Sequence, residues 1–219
     1  MDRKTKRILM CAFGVFVCAL SVGIFKHAEL GIDPFQTLMS GLTEVTKIRY
    51  GTLYVIVNAV LLIAALFFDR TRIGIGTLMN LFLFGYIVEF SQKICARLIP
   101  DPSFPVRVLL LVPAVVLLCF SSAVYFTADL GVSAYDAVSL ILADRQKIIP
   151  FAWCRVITDV FCVIAGTLLL HVSGWSWDRI SAVAGIGTIL TAFFMGPLIT
   201  WFREHISDPF LENGNGESM

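Results

Sequence analysis

The chain has 219 residues, of which 58% are hydrophobic and only 15% are charged, and its formal net charge at pH 7 is +1. Soluble domains carry roughly 25% charged residues, so 17 basic and 16 acidic side chains are too few to cover a soluble fold of this length. The composition predicts a membrane protein and excludes the soluble enzyme classes. The near-neutral charge excludes a basic surface for nucleic acid.

Six long apolar runs follow a basic N-terminus. The first run, over residues 8–25, has no small-x-small cleavage site before Lys26, so we predict a retained span rather than a signal peptide. Five further runs are each close to the roughly 20 residues that cross a bilayer as a helix; they cover residues 51–68, 73–90, 108–128, 150–170 and 180–202. We therefore predict an all-α polytopic membrane protein with six long transmembrane helices, and with residues 1–7 in the cytoplasm.

A short polar segment follows the first and the fourth long run. In each segment, a glycine suited to the left-handed end of a helix precedes a residue that can cap a new helix: Gly31, Asp33 and Pro34 in the first segment, and Gly131 and Ser133 in the second. Each new helix is predicted to reach a lysine, Lys47 or Lys147. Its rise of about 20 Å is too short for a comfortable crossing.

Two stretches of the chain recur in order, which predicts an internal repeat. Residues 28–38 match residues 128–138, and residues 74–85 match residues 185–196. Each half then consists of three long helices and one short helix. The predicted organisation is a first membrane repeat (8–97), a connecting loop (98–107), a second membrane repeat (108–203) and a polar C-terminal tail (204–219).

The topology depends on whether the two short helices cross the membrane. With six crossings, ten Lys and Arg residues lie on the side of the N-terminus and seven on the other side; with eight, the numbers are thirteen and four. The positive-inside rule favours eight crossings over six. The polarity of the first short segment argues for six, because Gln36, Ser40 and Glu44 would be costly against lipid.

The motif Leu-Gly-x-x-Pro-aromatic at residues 30–35 and the motif Gly-x-Gly-Thr at residues 74–77 and 185–188 point to a family. With them, nearly the whole chain resembles the YczE/YyaS/YitT group of bacterial integral membrane proteins. The resemblance implies a helical protein of the bacterial plasma membrane, with small-molecule transport as the suspected role. The group tends to carry Asp directly after the aromatic residue; Asp136 keeps this pattern here, whereas Gln36 departs from it.

Gln36 and Asp136 are the first pair of candidate substrate-binding residues. They occupy equivalent places in the first turns of the two short helices, where N–H groups and the positive end of the helix dipole can hold a polar group. Two such ends would frame one site. The structural alternative is that both side chains cap their own helices.

The other candidates lie in long spans. Arg155 and Asp159 are four residues apart, so they can pair on one helix face, and ionisable groups at this depth are candidates for function. A carboxylate at Asp159 would exchange protons in coupled transport; alternatively, the pair fixes helix register while Arg155 reaches the interface. Asn58 either binds substrate or bonds to a neighbouring helix.

Small residues at the start of a long span in each half are predicted to be close-packing positions rather than a phosphate loop, because no strand precedes them and no lysine follows: Gly74, Gly76, Thr77, Gly185, Gly187 and Thr188. Six cysteines without C-x-x-C spacing and three scattered histidines predict no metal site. Hydrolase motifs are absent from the sequence, so we expect neither enzyme activity nor a cofactor.

These features predict a small-molecule secondary transporter or permease. Its expected partners are the lipid bilayer and a small-molecule substrate, and a homo-oligomer is compatible with the sequence. The alternative is a non-transporting accessory or scaffold protein that supports a membrane-associated enzyme or a secretion system. Both hypotheses place the chain in the bacterial plasma membrane, with the N- and C-termini in the cytoplasm.

Overall fold

The structure, a computed structural model, describes residues 3–68, 73–146 and 151–212, and within these ranges it contains helices and no strand. In chain order the elements are α1 (Arg3–Ala28), α2 (Pro34–Thr46), α3 (Tyr50–Phe68), α4 (Ile75–Leu98), α5 (Phe104–Ala128), α6 (Ala134–Gln146), α7 (Phe151–Val172), α8 (Trp177–Val183), α9 (Ile186–Phe202), a π-helical turn (Arg203–Ser207) and α10 (Asp208–Glu212). The predicted all-α class is confirmed for these residues. The predicted end of the second short helix, Lys147, lies outside them.

Five stretches of the described chain are long and apolar enough to cross a membrane: α1, α3, α5, Trp153–Val172 within α7, and Trp177–Glu212, which runs from α8 to α10. Helix α4 is also long, at 24 residues, but Asn80, Glu89 and Gln92 lower its hydropathy. The chain is a polytopic helical membrane protein.

The last predicted span, residues 180–202, is interrupted rather than continuous. Between α8 and α9, the Val183 carbonyl accepts a hydrogen bond from the Ile32 N–H at 2.8 Å, and the Gly187 N–H donates to the Leu30 carbonyl at 2.8 Å. Residues 30–32 therefore take over helical hydrogen bonds that a continuous span would make internally. The predicted polar tail from residue 204 is helical as far as Glu212, and residues 213–219 lie outside the described residues.

Helices α1 and α5 form the antiparallel centre of the bundle. Arg7 near the start of α1 donates to the Ala128 carbonyl at the end of α5, with 2.7 Å between nitrogen and oxygen. We call this end of the bundle the Arg7 end, and the opposite end, where α1 finishes, the Lys26 end. The Lys6 ammonium lies 4.2 Å from the centre of the Phe210 ring. The two termini of the described chain therefore share the Arg7 end.

Helix α2 begins and ends without crossing the bundle. Lys26 near the end of α1 places its ammonium 3.6 Å from the centre of the ring of Tyr50, the first residue of α3. The whole segment between them therefore enters and leaves at the Lys26 end, while Asp33 at the start of α2 lines a cavity with Cys18 of α1, several turns below that end. We call such a segment re-entrant, because it enters and leaves the bundle at one end; the eight crossings that the charge count favoured stay a prediction.

Helix α6 takes the corresponding place at the other end. The chain leaves α5 at the Arg7 end, and α6 then packs against the C-terminal half of α3, where Ala137 and Ile141 share a buried apolar cluster with Ala65. Since α3 runs away from the Lys26 end, α6 runs from the centre towards the Arg7 end. Both predicted caps are present: Asp33 accepts from the Gln36 N–H at 3.1 Å, and Ser133 Oγ accepts from the Asp136 N–H at 3.0 Å.

Two backbone contacts between glycine motifs hold these re-entrant segments in place. Gly31 and Gly131 have φ values of +104° and +100°, which glycine adopts without strain. A Cβ on Gly31 would lie 2.7 Å from the Gly185 nitrogen, and one on Gly131 would lie 2.4 Å from the Gly74 nitrogen. Each Leu-Gly turn thus rests on the Gly-x-Gly-Thr motif that begins the last long helix of the other half.

Hydrogen bonds reinforce both contacts. The Gly76 N–H donates to the Leu130 carbonyl at 2.8 Å, and Thr77 Oγ1 donates to the Val132 carbonyl at 2.7 Å. At the other contact, the Gly187 N–H donates to the Leu30 carbonyl at 2.8 Å. At both contacts, the glycines allow backbone to approach backbone closely.

We expect Gly31→Ala to destabilise the fold through both strain and contact. A positive φ costs a residue with a Cβ about 1–2 kcal/mol, and overpacking against the Gly185 backbone adds about 1–3 kcal/mol. Gly174→Ala is the matched control, because Gly174 has a φ of +87° and no atom within 4 Å of an added Cβ. Thermal unfolding in detergent should show the larger loss for Gly31→Ala; equal losses would contradict the importance of the contact.

The re-entrant path of α2 predicts that residues 4 and 47 lie on opposite sides of the membrane, which the variants Lys4→Cys and Lys47→Cys can test. Lys4 lies in the first turn of α1 at the Arg7 end, whereas Lys47 ends α2 at the Lys26 end with 72% of its side chain exposed. A membrane-impermeant maleimide applied to intact cells should label only one of the two variants, with the native chain reporting background labelling. Labelling of both, or of both only after permeabilisation, would indicate that α2 crosses.

Candidate functional site

A polar cavity of about 70 Å³ lies at the centre of the bundle. It forms where the first turns of α2 and α6 meet, and the Phe35 and Tyr135 rings, one from each helix, stack there with 4.7 Å between their centres. Asp33 and Gln36 line the cavity from α2, and Asp136 lines it from α6. Two re-entrant helices thus point their N-terminal ends at one small volume.

Arg155 of α7 is the cationic centre of the site. Its side chain is only 9% exposed, and it pairs with both Asp136 and Asp159. The distance from Arg155 Nε to Asp159 Oδ1 is 3.2 Å, and the Tyr135 hydroxyl donates to the same carboxylate oxygen at 2.5 Å. Ser133 Oγ donates to the other oxygen of Asp136 at 2.6 Å. The two carboxylates and the guanidinium therefore form a buried network with most of its hydrogen bonds made.

Asp33 differs from the other two aspartates. Its Oδ1 accepts from the Gln36 N–H as the helix cap, but its Oδ2 is buried and has no hydrogen-bond partner in the described part of the chain. The Tyr125 hydroxyl, from α5, is likewise buried and unpaired there. Both residues line the cavity. Since buried polar atoms are nearly always hydrogen-bonded, these two atoms are candidate positions for hydrogen bonds to a ligand or to water.

A second, larger cavity of about 660 Å³ lies at the Lys26 end; we call it the vestibule. Tyr50 lines the vestibule, and its hydroxyl donates to the side-chain oxygen of Gln36, which lines the central cavity. The Tyr50–Gln36 hydrogen bond therefore stands between the two cavities.

The rim of the vestibule carries both signs of charge. The Arg107 guanidinium pairs with Glu29 at 2.8 Å, and the Lys47 ammonium pairs with Glu44 at 2.6 Å. The hydrogen bond from Lys47 holds the pKa of the half-buried Glu44 carboxyl below its usual range. The mixed rim selects for neither sign by itself.

The structure brings four of the five predicted substrate-binding residues together. Gln36, Asp136 and Arg155 line the cavity, and Asp159 lies behind Arg155. Arg155 is buried in its ion pairs, so it does not reach the interface as the structural alternative required. Asn58 lies elsewhere: its Nδ2 donates to the Tyr54 carbonyl of its own helix at 2.9 Å.

Three tyrosines and one aspartate of the site are absent from the candidates that the sequence indicates. Asp33 is predicted only as a helix cap, while Tyr50, Tyr125 and Tyr135 lie in or beside apolar runs where a tyrosine is ordinary. Only the position of Tyr135 could have indicated its place in the site, because Tyr135 and Phe35 are the aromatic residues of the same repeated motif.

The chain is similar to bacterial proteins over most of its length. A family model described as "Family of unknown function (DUF6198)" matches residues 5–204. An "Uncharacterized protein" of Haemophilus influenzae is 24% identical over 203 residues, covering 92% of this chain and 85% of that protein. No solved structure matches the chain significantly.

Two proteins of Bacillus subtilis carry the predicted family names. "Uncharacterized protein YyaS" is 22% identical over 198 residues, covering 90% of this chain and 92% of that protein. "Uncharacterized membrane protein YczE" is 24% identical over 187 residues, covering 85% of this chain and 80% of that protein. The resemblance to the YczE/YyaS group is thus confirmed.

Arg155→Met should strongly destabilise the protein, by about 3–5 kcal/mol, because it leaves Asp136 and Asp159 buried without a counter-ion. Arg49→Met is the control: Arg49 pairs with Glu89 at 2.6 Å but is 63% exposed, and exposed pairs contribute about 1 kcal/mol or less. Thermal unfolding in detergent measures both.

Restoring charge balance separates this electrostatic effect from lost packing. We expect Arg155→Met to recover much of its stability when Asp136→Asn and Asp159→Asn are added, since no unpaired charge then remains in the network. A triple variant as unstable as Arg155→Met alone would contradict the electrostatic explanation.

Proposed function

The chain belongs to the family of unknown function DUF6198, and we propose that this member is a small-molecule secondary transporter of the bacterial plasma membrane. The central cavity carries the proposal, because it holds buried charges at the meeting point of two re-entrant helices. Buried ionisable groups within a membrane bundle are costly and mark substrate or ion pathways. Discontinuous helices with their N-termini at mid-depth are the usual frame of such sites.

The proposed topology has six crossings and two re-entrant helices. Residues 8–97 and 108–203 are then inverted repeats, which accounts for the reciprocal placement of the glycine motifs. The Arg7 end is the cytoplasmic one in this proposal, because Arg3, Lys4, Lys6 and Arg7 lie there and basic residues favour the cytoplasmic side. Both termini are then cytoplasmic.

Transport by alternating exposure requires the cavity to open towards each side in turn. In the described arrangement, the Tyr50–Gln36 hydrogen bond lies between the cavity and the vestibule. Breaking it would connect the site to the Lys26 end. The glycine contacts let one half move against the other with little side-chain obstruction, since backbone meets backbone there.

Energy would come from a solute or ion gradient, because the sequence carries no phosphate-binding loop. Arg155 holds two carboxylates at once, Asp136 at the cavity and Asp159 behind it. A substrate that bound to Asp136 would compete with the Arg155 guanidinium for this carboxylate and shift the guanidinium towards Asp159. Binding would in this way change the contacts between α6 and α7.

Asp136→Asn should strongly reduce transport while the protein still folds, because Arg155 keeps Asp159 as its partner. Loss of a charge-assisted contact costs about 1.5–3 kcal/mol, or roughly 10-fold to 100-fold in flux. Asp129→Asn is the control, since Asp129 lies at the Arg7 end with 83% of its side chain exposed. Metabolite pools in cytosol and spent medium should be compared between cells without the protein and cells with the native chain or either variant, at equal amounts in the membrane.

Transport would be supported by a metabolite whose concentration differs from that in cells without the protein when the native chain or Asp129→Asn is present, but not when Asp136→Asn is present. Such a metabolite would be the solute for flux measurements in liposomes. Identical pools in all four strains across several growth media would contradict transport and favour the accessory role.

A further inference from the structure

The unpaired oxygen of Asp33 gives the central cavity a preference for a ligand that donates hydrogen bonds. Asp33 is only 7% exposed and lines the cavity. Its Oδ2 atom has no hydrogen-bond partner within the described chain. Asp136 and Asp159 differ, because both share Arg155. One acceptor in the site is therefore left for a ligand that donates hydrogen bonds.

The charges around the cavity nearly balance, so the free oxygen of Asp33 decides which ligand fits. Asp33 and Asp136 line the cavity with Arg155, and Asp159 lies behind Arg155. The Lys26 ammonium also acts on Asp33, and the N-terminal ends of α2 and α6 each contribute about half a positive charge. Within this balanced set, one carboxylate oxygen is left that a hydrogen-bond donor can satisfy.

An aromatic wall lines the same cavity. Four rings form a continuous row, with 5.4 Å between the centres of Phe84 and Tyr54, 6.1 Å between Tyr54 and Phe35, and 4.7 Å between Phe35 and Tyr135. All four residues line the cavity. The Phe35 and Tyr135 rings stack on each other, and the Arg155 guanidinium lies 4.7 Å from the centre of the Tyr135 ring, so the row already holds one cation and offers an apolar surface to a ligand.

The size of the cavity and the protein atoms that line it limit which ligands fit. A volume of about 70 Å³ holds about five water-sized spheres, which suits a ligand of a few heavy atoms. Within the described residues, no group of three or more His, Cys, Asp or Glu side chains is placed to hold a metal ion. Hydrogen-bond acceptors beside aromatic rings match a protonated amine better than a metal.

We propose that the central cavity binds a small protonated amine, with its N–H groups donating to Asp33 and its apolar part against the aromatic row. The Tyr125 hydroxyl, the other unpaired polar atom in the cavity, accepts a further hydrogen bond from the ammonium. The identity of the transported species rests on the proposed function, whereas binding at Asp33 does not.

The test uses radiolabelled methylammonium as the probe, with the purified full-length protein. Binding is measured by equilibrium dialysis in detergent, with acetamide and acetate as neutral and anionic competitors. We expect methylammonium to bind, and Asp33→Asn to weaken its binding at least tenfold. Asparagine caps helices about as well as aspartate, so this variant removes the charge and keeps the start of α2.

Asp129→Asn is again the matched control and should bind methylammonium like the native chain. Tyr125→Phe provides a second test if Asp33→Asn fails to fold, and it should weaken binding by a smaller factor. Equal binding by the native protein and both cavity variants, or displacement of the probe by acetate at equal concentration, would overturn the proposal.

Flux into liposomes separates this inference from transport itself. Binding of methylammonium that depends on Asp33, without any flux, would support the amine site and contradict the transporter. Flux of acetate or acetamide that depends on Asp136, without methylammonium binding, would support the transporter and overturn the amine site.

Discussion

Backbone contact at two pairs of glycine motifs holds the central site at mid-depth in the bundle. The Leu30–Gly31 turn rests on the start of α9, and the Leu130–Gly131 turn rests on the start of α4. Because the chain reverses at these turns, α2 and α6 begin inside the protein rather than at its surface. A Cβ at Gly31, Gly74, Gly131 or Gly185 would lie less than 3 Å from backbone atoms of the facing motif.

The position of the helix starts in turn makes the buried charges tolerable. An ionised group in a membrane interior is stable only with a partner or a helix terminus nearby. Arg155 supplies the partner for Asp136 and Asp159, while the N-terminal ends of α2 and α6 supply backbone donors. Asp33 uses one oxygen as a cap and keeps the other free, so the same fold that stabilises the network leaves one acceptor for a ligand.

The same arrangement connects the site to one face of the protein. Gln36 follows Asp33 by less than one turn, and its hydrogen bond to Tyr50 joins the start of α2 to the start of α3. Gln36 lines the central cavity and Tyr50 lines the vestibule, so this hydrogen bond joins residues of the two cavities.

The sequence by itself determined the class and the local elements, because both follow from short-range physics. Apolar runs of membrane length, the caps at Asp33 and Ser133, and the glycines at positive φ are readable from neighbouring residues. The pairing of Arg155 with Asp159 is also local, since four residues make one helical turn. Candidates from both halves, such as Gln36 and Asp136, followed from the recurrence of one motif.

Only the tertiary structure decided which of these elements meet. The charge count uses only the basic residues of the loops, so it carries no information about the path of a segment that is enclosed by protein. The break between α8 and α9 has its cause in residues 30–32, about 150 positions earlier in the chain. One oxygen of Asp33 and the hydroxyl of Tyr125 lack hydrogen-bond partners because both atoms are buried. Their burial depends on contacts between helices that are distant in sequence, which no local pattern encodes.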